Sequence, residues 1–127
     1  MKIIKLIFKV LIGIGIIYLT SVIFYVLKPE INDFFNRTDF VSNEWINWED
    51  TESTYGLRWN MTHDLTNNYN LEGKTKKEIK TLLGEASSES NNEMSYYLGL
   101  TGHGINTGSL TFTFENDKVI KFKIWQG

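Results

Sequence analysis

The sequence predicts an α+β protein built as an N-terminal transmembrane helix followed by a small two-layer domain, with two helices packed on a three-stranded antiparallel sheet. Three observations carry this expectation. Val10–Leu27 runs for eighteen residues without a charge. A capping box and a Leu-Leu-Gly stop bracket a short helix after Lys74. Ser109–Glu115 and Lys118–Trp125 then alternate apolar and polar residues on either side of a short turn.

The uncharged run comes first. At ~1.5 Å per residue it makes a helix roughly 27 Å long, close to the ~30 Å hydrocarbon thickness of a bilayer. Only Thr20 and Ser21 interrupt it, and both hydroxyls are able to bond back to carbonyls of their own helix. Tyr18 and Tyr25 lie near the ends, where amphipathic rings suit an interface. Lys2, Lys5 and Lys9 precede the run, whereas Lys28 is soon followed by Glu30 and Asp33. The positive-inside bias therefore predicts a cytoplasmic N-terminus and a single pass through the inner (cytoplasmic) membrane, with the C-terminal domain on the extracytoplasmic or periplasmic side. The run ends in Phe-Tyr-Val-Leu-Lys-Pro without a small-x-small cleavage site, and Ala86 is the sole alanine. An uncleaved signal anchor is expected, with cleavage near Thr20-Ser21 as the competing reading. With no cysteine in the chain, neither a lipid-modified cysteine nor a disulfide is available.

Pro29 is expected to close the membrane helix. The organisation is then residues 1–28 as basic tip and anchor, 29–53 as a juxtamembrane segment, and 54–127 as the folded domain. Pro29–Gly127 is long enough for one core. It holds all 15 acidic residues and, with four of the 13 basic ones in Met1–Lys28, nine basic residues, a net charge of −6. An acidic domain lacks the electrostatic footprint of a nucleic-acid binder.

The segment 29–53 mixes acids with Phe34, Phe35, Phe40, Trp45 and Trp48. Disordered tethers are poor in aromatics, so Phe40–Trp48 is expected to pack on the domain, leaving Glu49–Glu52 as a solvated linker. From Tyr55 to Asn68, Leu57, Met61 and Leu65 recur at i, i+4 and i+8, one apolar stripe of a helix. Arg58 and Asp64 stand six apart, too far for the i,i+4 pairing that stabilises isolated helices, so each is expected to have a tertiary partner and a structural role. In Thr75-Lys76-Lys77-Glu78 the threonine accepts from the backbone three residues on and the glutamate reaches back. Ile79, Leu82 and Leu83 supply the buried face, and Gly84 is expected to take the left-handed conformation that stops the helix.

Three strands follow: Met94–Leu100, Ser109–Glu115 and Lys118–Trp125. Leu110, Phe112 and Phe114 share one face with Ile120, Phe122 and Ile124, opposite Lys121 and Lys123. Glu115-Asn116-Asp117-Lys118 joins the last two as a tight hairpin of residues that tolerate φ above zero.

Candidate chemistry is sparse. His63 and Asp64 are adjacent, so their side chains diverge by about 100° on a helix. His103 lies among Gly102 and Gly104 in a connection between strands. The glycines at 99, 102, 104 and 108 lack the strand-to-helix setting and the lysine of a phosphate loop. No catalytic or metal residue, and no cofactor, is expected. Trp48, Tyr97, His103 and Trp125 are the candidate contact residues, since aromatics dominate protein-contact hot spots.

Leu71-Glu72-Gly73-Lys74-Thr75-Lys76-Lys77-Glu78-Ile79, followed by Leu82-Leu83-Gly84-Glu85, resembles the signature of the SmpA/OmlA-type (BamE-like) domain, whose fold is similar to that of the β-lactamase inhibitor protein. A narrower similarity is to small bacterial proteins with a Phe–Trp pair (here Phe40 and Trp45), an R-x-x-M-x-x-D-L motif (Arg58, Met61, Asp64, Leu65), a Y-x-L-G-like motif (Tyr97–Gly99), and a closing strand pair (Phe114, Val119). Gly73, Thr75, Glu78, Leu83 and Gly84 carry the helix part of the resemblance. Ala86 stands where the family has proline, and the lipid-bearing cysteine is missing. The resemblance implies a non-enzymatic binding or scaffold module of a bacterial cell envelope, contacting another envelope protein. The alternative is an inhibitor or sensor domain that binds an enzyme or ligand through the glycine-rich stretch 99–108.

Overall fold

In the computed structural model, which describes every residue from Met1 to Gly127, the chain forms two compact units, Met1–Phe34 and Phe35–Gly127. The first is almost entirely α1 (Lys2–Asn36), none of whose residues is buried. The helix is long and apolar enough to cross a membrane, which suits it to serve as an anchor or as a signal sequence. Thr20 Oγ1 and Ser21 Oγ both donate to the Ile17 carbonyl, at 2.9 and 2.8 Å, so neither hydroxyl is left unpaired in an apolar setting. Pro29 does not close the helix, contrary to expectation; it lies inside it. Proline removes one N–H from the ladder, but bonds on either side of the gap carry the helix on to Asn36.

The second unit contains α2 (Ser42–Ile46), α3 (Leu57–Asn68), α4 (Lys76–Leu83), β1 (Ser88–Glu89), β2 (Glu93–Leu100), β3 (Thr107–Glu115) and β4 (Lys118–Gln126). The sheet is antiparallel in the order β1-β2-β3-β4. Two corrections to the expected architecture follow: four strands rather than three, and a short third helix beside the two expected ones. The polar stretch 87–92 hid β1, which is a two-residue strand with no apolar alternation to signal it. Five-residue α2 is too short for a helical period to appear in sequence.

The helices cover the sheet face formed by Met94, Tyr96 and Leu98 of β2 and Leu110, Phe112 and Phe114 of β3, all buried. Met61 and Leu65 of α3 and Ile79 and Leu83 of α4 close the core over this face. Leu57, the third member of the α3 stripe, packs at its margin. The hairpin from β3 to β4 has Asn116 at φ 49° and Asp117 at φ 62°, the paired positive φ values that match the strand twist.

On β4 the expected face is only partly right. A bulge between Thr113 and Phe114 sets Phe114 opposite Val119 and leaves Ile120 as the extra residue. Val119 is therefore buried and Ile120 is exposed. Gly84 does stop α4 with positive φ, but at φ 77°, ψ −164° rather than in the left-handed helical region. Its carbonyl accepts a 2.9 Å bond from the Tyr96 hydroxyl, which ties the helix end to the sheet.

Candidate functional site

The motif residues converge on one latch between α2, α3 and β2. Trp45 is fully buried in the core beside Phe40, their rings in edge contact at 5.7 Å. Arg58 reaches from α3 between two indoles, its guanidinium carbon 5.3 Å from the Trp45 ring centre and 4.8 Å from that of Trp48. Its Nε donates to the Trp45 carbonyl at 3.0 Å and a terminal nitrogen to the Tyr97 carbonyl at 3.1 Å. Burial lowers its pKa, countered in part by the nearby Tyr96, and a guanidinium stays charged regardless.

One turn and a half along α3, Asp64 accepts from the Phe40 backbone N–H at 2.8 Å and from the Asn68 side chain. These bonds hold its carboxyl below the ordinary aspartate range, the Phe40 N–H contributing most. The Tyr69 hydroxyl bonds the Phe40 carbonyl, and the two rings meet at 5.0 Å. Thr38 N–H bonds the Asn60 carbonyl, and the Ser42 hydroxyl bonds the Leu82 carbonyl at 2.6 Å. The tertiary partners expected of Arg58 and Asp64 are thus backbone groups of the Phe40–Trp48 segment and of β2.

The capping box is complete: Thr75 Oγ1 accepts from Glu78 N at 3.2 Å, and Glu78 Oε2 accepts from Thr75 N at 2.8 Å. The Thr75 backbone and hydroxyl hold the Glu78 carboxyl below its usual range. Gly73, at φ 80°, turns the chain so that its N–H bonds the Val119 carbonyl at 2.9 Å.

Of the four contact candidates, Trp48 and Tyr97 are in ring contact and Trp125 shares a rung with Tyr97, whereas His103 lies in the turn between β2 and β3. Trp48 is half-buried, its Nε1 donating to the Thr54 carbonyl at 2.7 Å and its ring 6.0 Å from that of Tyr97. Glu49–Glu52, expected as a solvated linker, is a turn closed by bonds from Thr51 N to Glu49 O and from Thr54 N to Thr51 O. Tyr97 and Trp125 share a rung on the outer sheet face, both opposite Ser109, and are 36% and 52% exposed. His103 is half-buried in the hairpin end, whereas His63 is exposed on α3.

The stretch 99–108, expected as one glycine-rich loop, is strand at both ends and loop in the middle. Gly99 and Gly108 belong to β2 and β3. A side chain at Gly108 would collide with the Trp59 ring, and one at Gly99 with the Tyr55 carbonyl. The loop proper is Thr101–Asn106, pinched by a 3.0 Å bond from Thr101 N to Asn106 O.

An open cleft of ≈ 400 Å³ lies between Trp48, Glu44, Glu49, Asn43, Thr54 and Leu57. Its polar lining combines the carboxylates of Glu44 and Glu49 with the amides of Asn43 and Asn47 and the hydroxyls of Thr51 and Thr54. No group of three or more His, Cys, Asp or Glu is placed to hold a metal ion. Sequence reasoning missed the outer edge of β4. The available signal was the alternation of Lys121 and Lys123 with Phe122 and Ile124 in a terminal strand. No family model, curated protein or solved structure matches the chain.

Proposed function

We propose that the chain is a membrane-anchored, non-enzymatic binding or scaffold module of a bacterial cell envelope, with a BamE-like, SmpA/OmlA-type domain that acts through contacts with another envelope protein. The observation that carries this reading is the pairing of an unburied α1, which contains the uncharged run Val10–Leu27, with a unit whose polar motif residues serve its own packing. Arg58 and Asp64 engage backbone groups of neighbouring elements, and Thr75 and Glu78 each engage the other's backbone N–H at the start of α4. That leaves exposed aromatic and strand surface, rather than a reactive cluster, for any partner.

The test combines topology reporters placed before Met1 and after Gly127 with mass measurement of the mature N-terminus and photo-cross-linking from the outer sheet face. The expected result is an intact N-terminus, a cytoplasmic reporter at one end and an extracytoplasmic one at the other, with one envelope protein recovered repeatedly. A cleaved N-terminus, or cross-links to none, would sink the proposal.

A second reading has one observation in its favour. Ile105 is 92% exposed at the hairpin end between β2 and β3, next to Gly104 at φ 69°. An inhibitor or sensor that inserts this tip would lose binding, and keep its fold, when Gly102–Ile105 is replaced by a tight turn. Unchanged binding would remove it.

A further inference from the structure

We infer that the free edge of β4 docks an extended partner segment carrying acidic residues on one face and apolar residues on the other. This deepens the binding-module reading, and rests on it, by naming the surface and the partner's chemistry.

The two edges of the sheet differ sharply. At one, β1 is two residues long, and Glu89 is held by Lys80 at 2.7 Å and Lys76 at 3.8 Å. A short, ion-paired edge discourages strand addition. At the other, β4 is nine residues long with no strand beyond it. Reciprocal bonds between Thr107 and Gly127, at 3.0 and 3.1 Å, fix which groups face β3. By the antiparallel alternation, Lys121, Lys123 and Trp125 turn their N–H and C=O groups to β3 as well. Phe122, Ile124 and Gln126 then turn theirs outward.

The chain itself uses this edge once. Val119 donates to the Lys74 carbonyl at 2.9 Å and accepts from Gly73 N–H at 2.9 Å, the start of an antiparallel addition. Toward Gln126 it ends there because the chain before Gly73 turns away, with Lys74 N bonded to the Leu71 carbonyl at 3.4 Å and Leu71 buried in the core. The remaining outward groups offer an incoming strand a ready ladder.

Side chains specify what that strand carries. Lys118, Lys121 and Lys123 are the charges from Lys118 to Gly127, with no acidic side chain among them, in a part of the chain that is otherwise acidic. Lys121 and Lys123 flank the edge on the outer face, opposite Thr113 and Thr111. On the inner face, half-buried Phe122 and 39% exposed Ile124 continue the core past the cover of the helices. An added strand therefore meets ammonium groups on one face and apolar side chains on the other. A second copy fits poorly: β4 paired with itself about Phe122 sets each Lys121 against a Lys123, and like charges directly opposite are unfavourable.

The experiment uses the full chain in detergent micelles with a short, end-blocked peptide of alternating Glu and Val. Hydrogen exchange resolved by residue is expected to show new protection at Phe122, Ile124 and Gln126, and none added at Lys121 or Lys123. Ile124→Pro removes one outward donor and should weaken binding by about tenfold, the equivalent of roughly one net hydrogen bond. Should that variant unfold, the double variant K121E/K123E keeps the strand and should switch preference to a Lys-Val peptide. Protection elsewhere, equal binding of Lys-Val to the unaltered chain, or dimerisation through residues 122–126 would each overturn the inference. If the edge fails while an envelope protein is still cross-linked through another surface, the binding-module reading stands and the edge assignment alone falls.

Discussion

Gly99→Ala tests the seam between β2 and the segment that precedes α3. Gly99 has φ 77°, and a Cβ built there would lie 2.2 Å from the Tyr55 carbonyl oxygen and 2.9 Å from the Trp48 ring. Positive φ alone costs a residue with a side chain ~1–2 kcal/mol. Overpacking adds ~1–3 kcal/mol. The obstructing carbonyl also accepts the Leu100 N–H at 3.1 Å, so moving it aside strains a hydrogen bond worth about 1 kcal/mol net. The expected loss is about 3–6 kcal/mol, a large share of the ~5–14 kcal/mol typical of a domain this size. Gly104→Ala is the control, because its φ of 69° is likewise positive while nothing lies within 4 Å of its Cβ. It should lose no more than ~1–2 kcal/mol. Urea unfolding of the full chain in micelles measures both, and Trp45, Trp48, Trp59 and Trp125 all report on the Phe35–Gly127 unit. If the two variants fell within about 1 kcal/mol of each other, the close packing of Gly99 argued from the clash would be wrong.

Three further outcomes follow from the same geometry. Trp45 Nε1 is buried and makes no hydrogen bond to a protein atom; Trp45→Phe should therefore lose packing and part of the Arg58 cation–π contact but no hydrogen bond, about 1–2 kcal/mol against ~3–5 for Trp45→Ala, and equal losses in urea melts would reveal a polar partner. Asp64, Glu78 and Glu89 all have lowered carboxyl pKa values in the fold. Their contribution is therefore complete above the unfolded values near pH ~4 and fades as pH falls through the lower folded ones, so the thermal midpoint should drop below about pH 4.5. Salt should weaken the Glu89 part, which depends on Lys80, and spare the Asp64 part, which depends first on the Phe40 N–H; equal salt sensitivity in the Asp64→Asn and Glu89→Gln backgrounds would contradict this. Thr75→Ala removes the cap of an eight-residue helix and should cost about 1 kcal/mol, with a midpoint shift of several degrees by circular dichroism.

Local chemistry made some elements legible and tertiary context hid others. The capping box, the Asn116-Asp117 turn and the Met61/Leu65 stripe depend on neighbours within a few residues, and each appears where the residues place it. The need of Arg58 and Asp64 for distant partners was readable because six residues separate them, too far for the two to pair along the helix, although Asp64 also takes Asn68 at i+4. Their partners were not readable, since both are backbone groups that carry no sequence signature. The Thr113–Phe114 bulge was likewise hard to read: alternation is regular from Ile120 to Ile124, but the adjacent apolar Val119 and Ile120 leave open which of them faces the core, and the extra residue puts Val119 there. Glycine misled the reading of residues 99–108 for a related reason. Gly99 and Gly108 are small because Trp48, Tyr55 and Trp59 press on them, and sequence alone does not separate that cause from loop flexibility.

The packing of Phe40–Trp48 also decides where the folded unit begins. A fragment starting at Ser53 would keep α3, α4 and all four strands, so secondary structure alone suggests that it folds. It would lose Phe40 and Trp45, two buried aromatic rings whose truncation typically costs ~3–5 kcal/mol each. The guanidinium of Arg58 would lose the Trp45 carbonyl and both indole faces, and Asp64 would lose its principal donor. The aromatic loss alone, about 6–10 kcal/mol, is comparable to the ~5–14 kcal/mol that a domain of this size has in total. The fragment 53–127 should therefore show exposed apolar surface and no cooperative unfolding, whereas 35–127 should melt in one transition. Dye binding and urea titration of the two fragments separate these outcomes. A cooperative transition in 53–127 would mean that the aromatic segment decorates a core already complete without it.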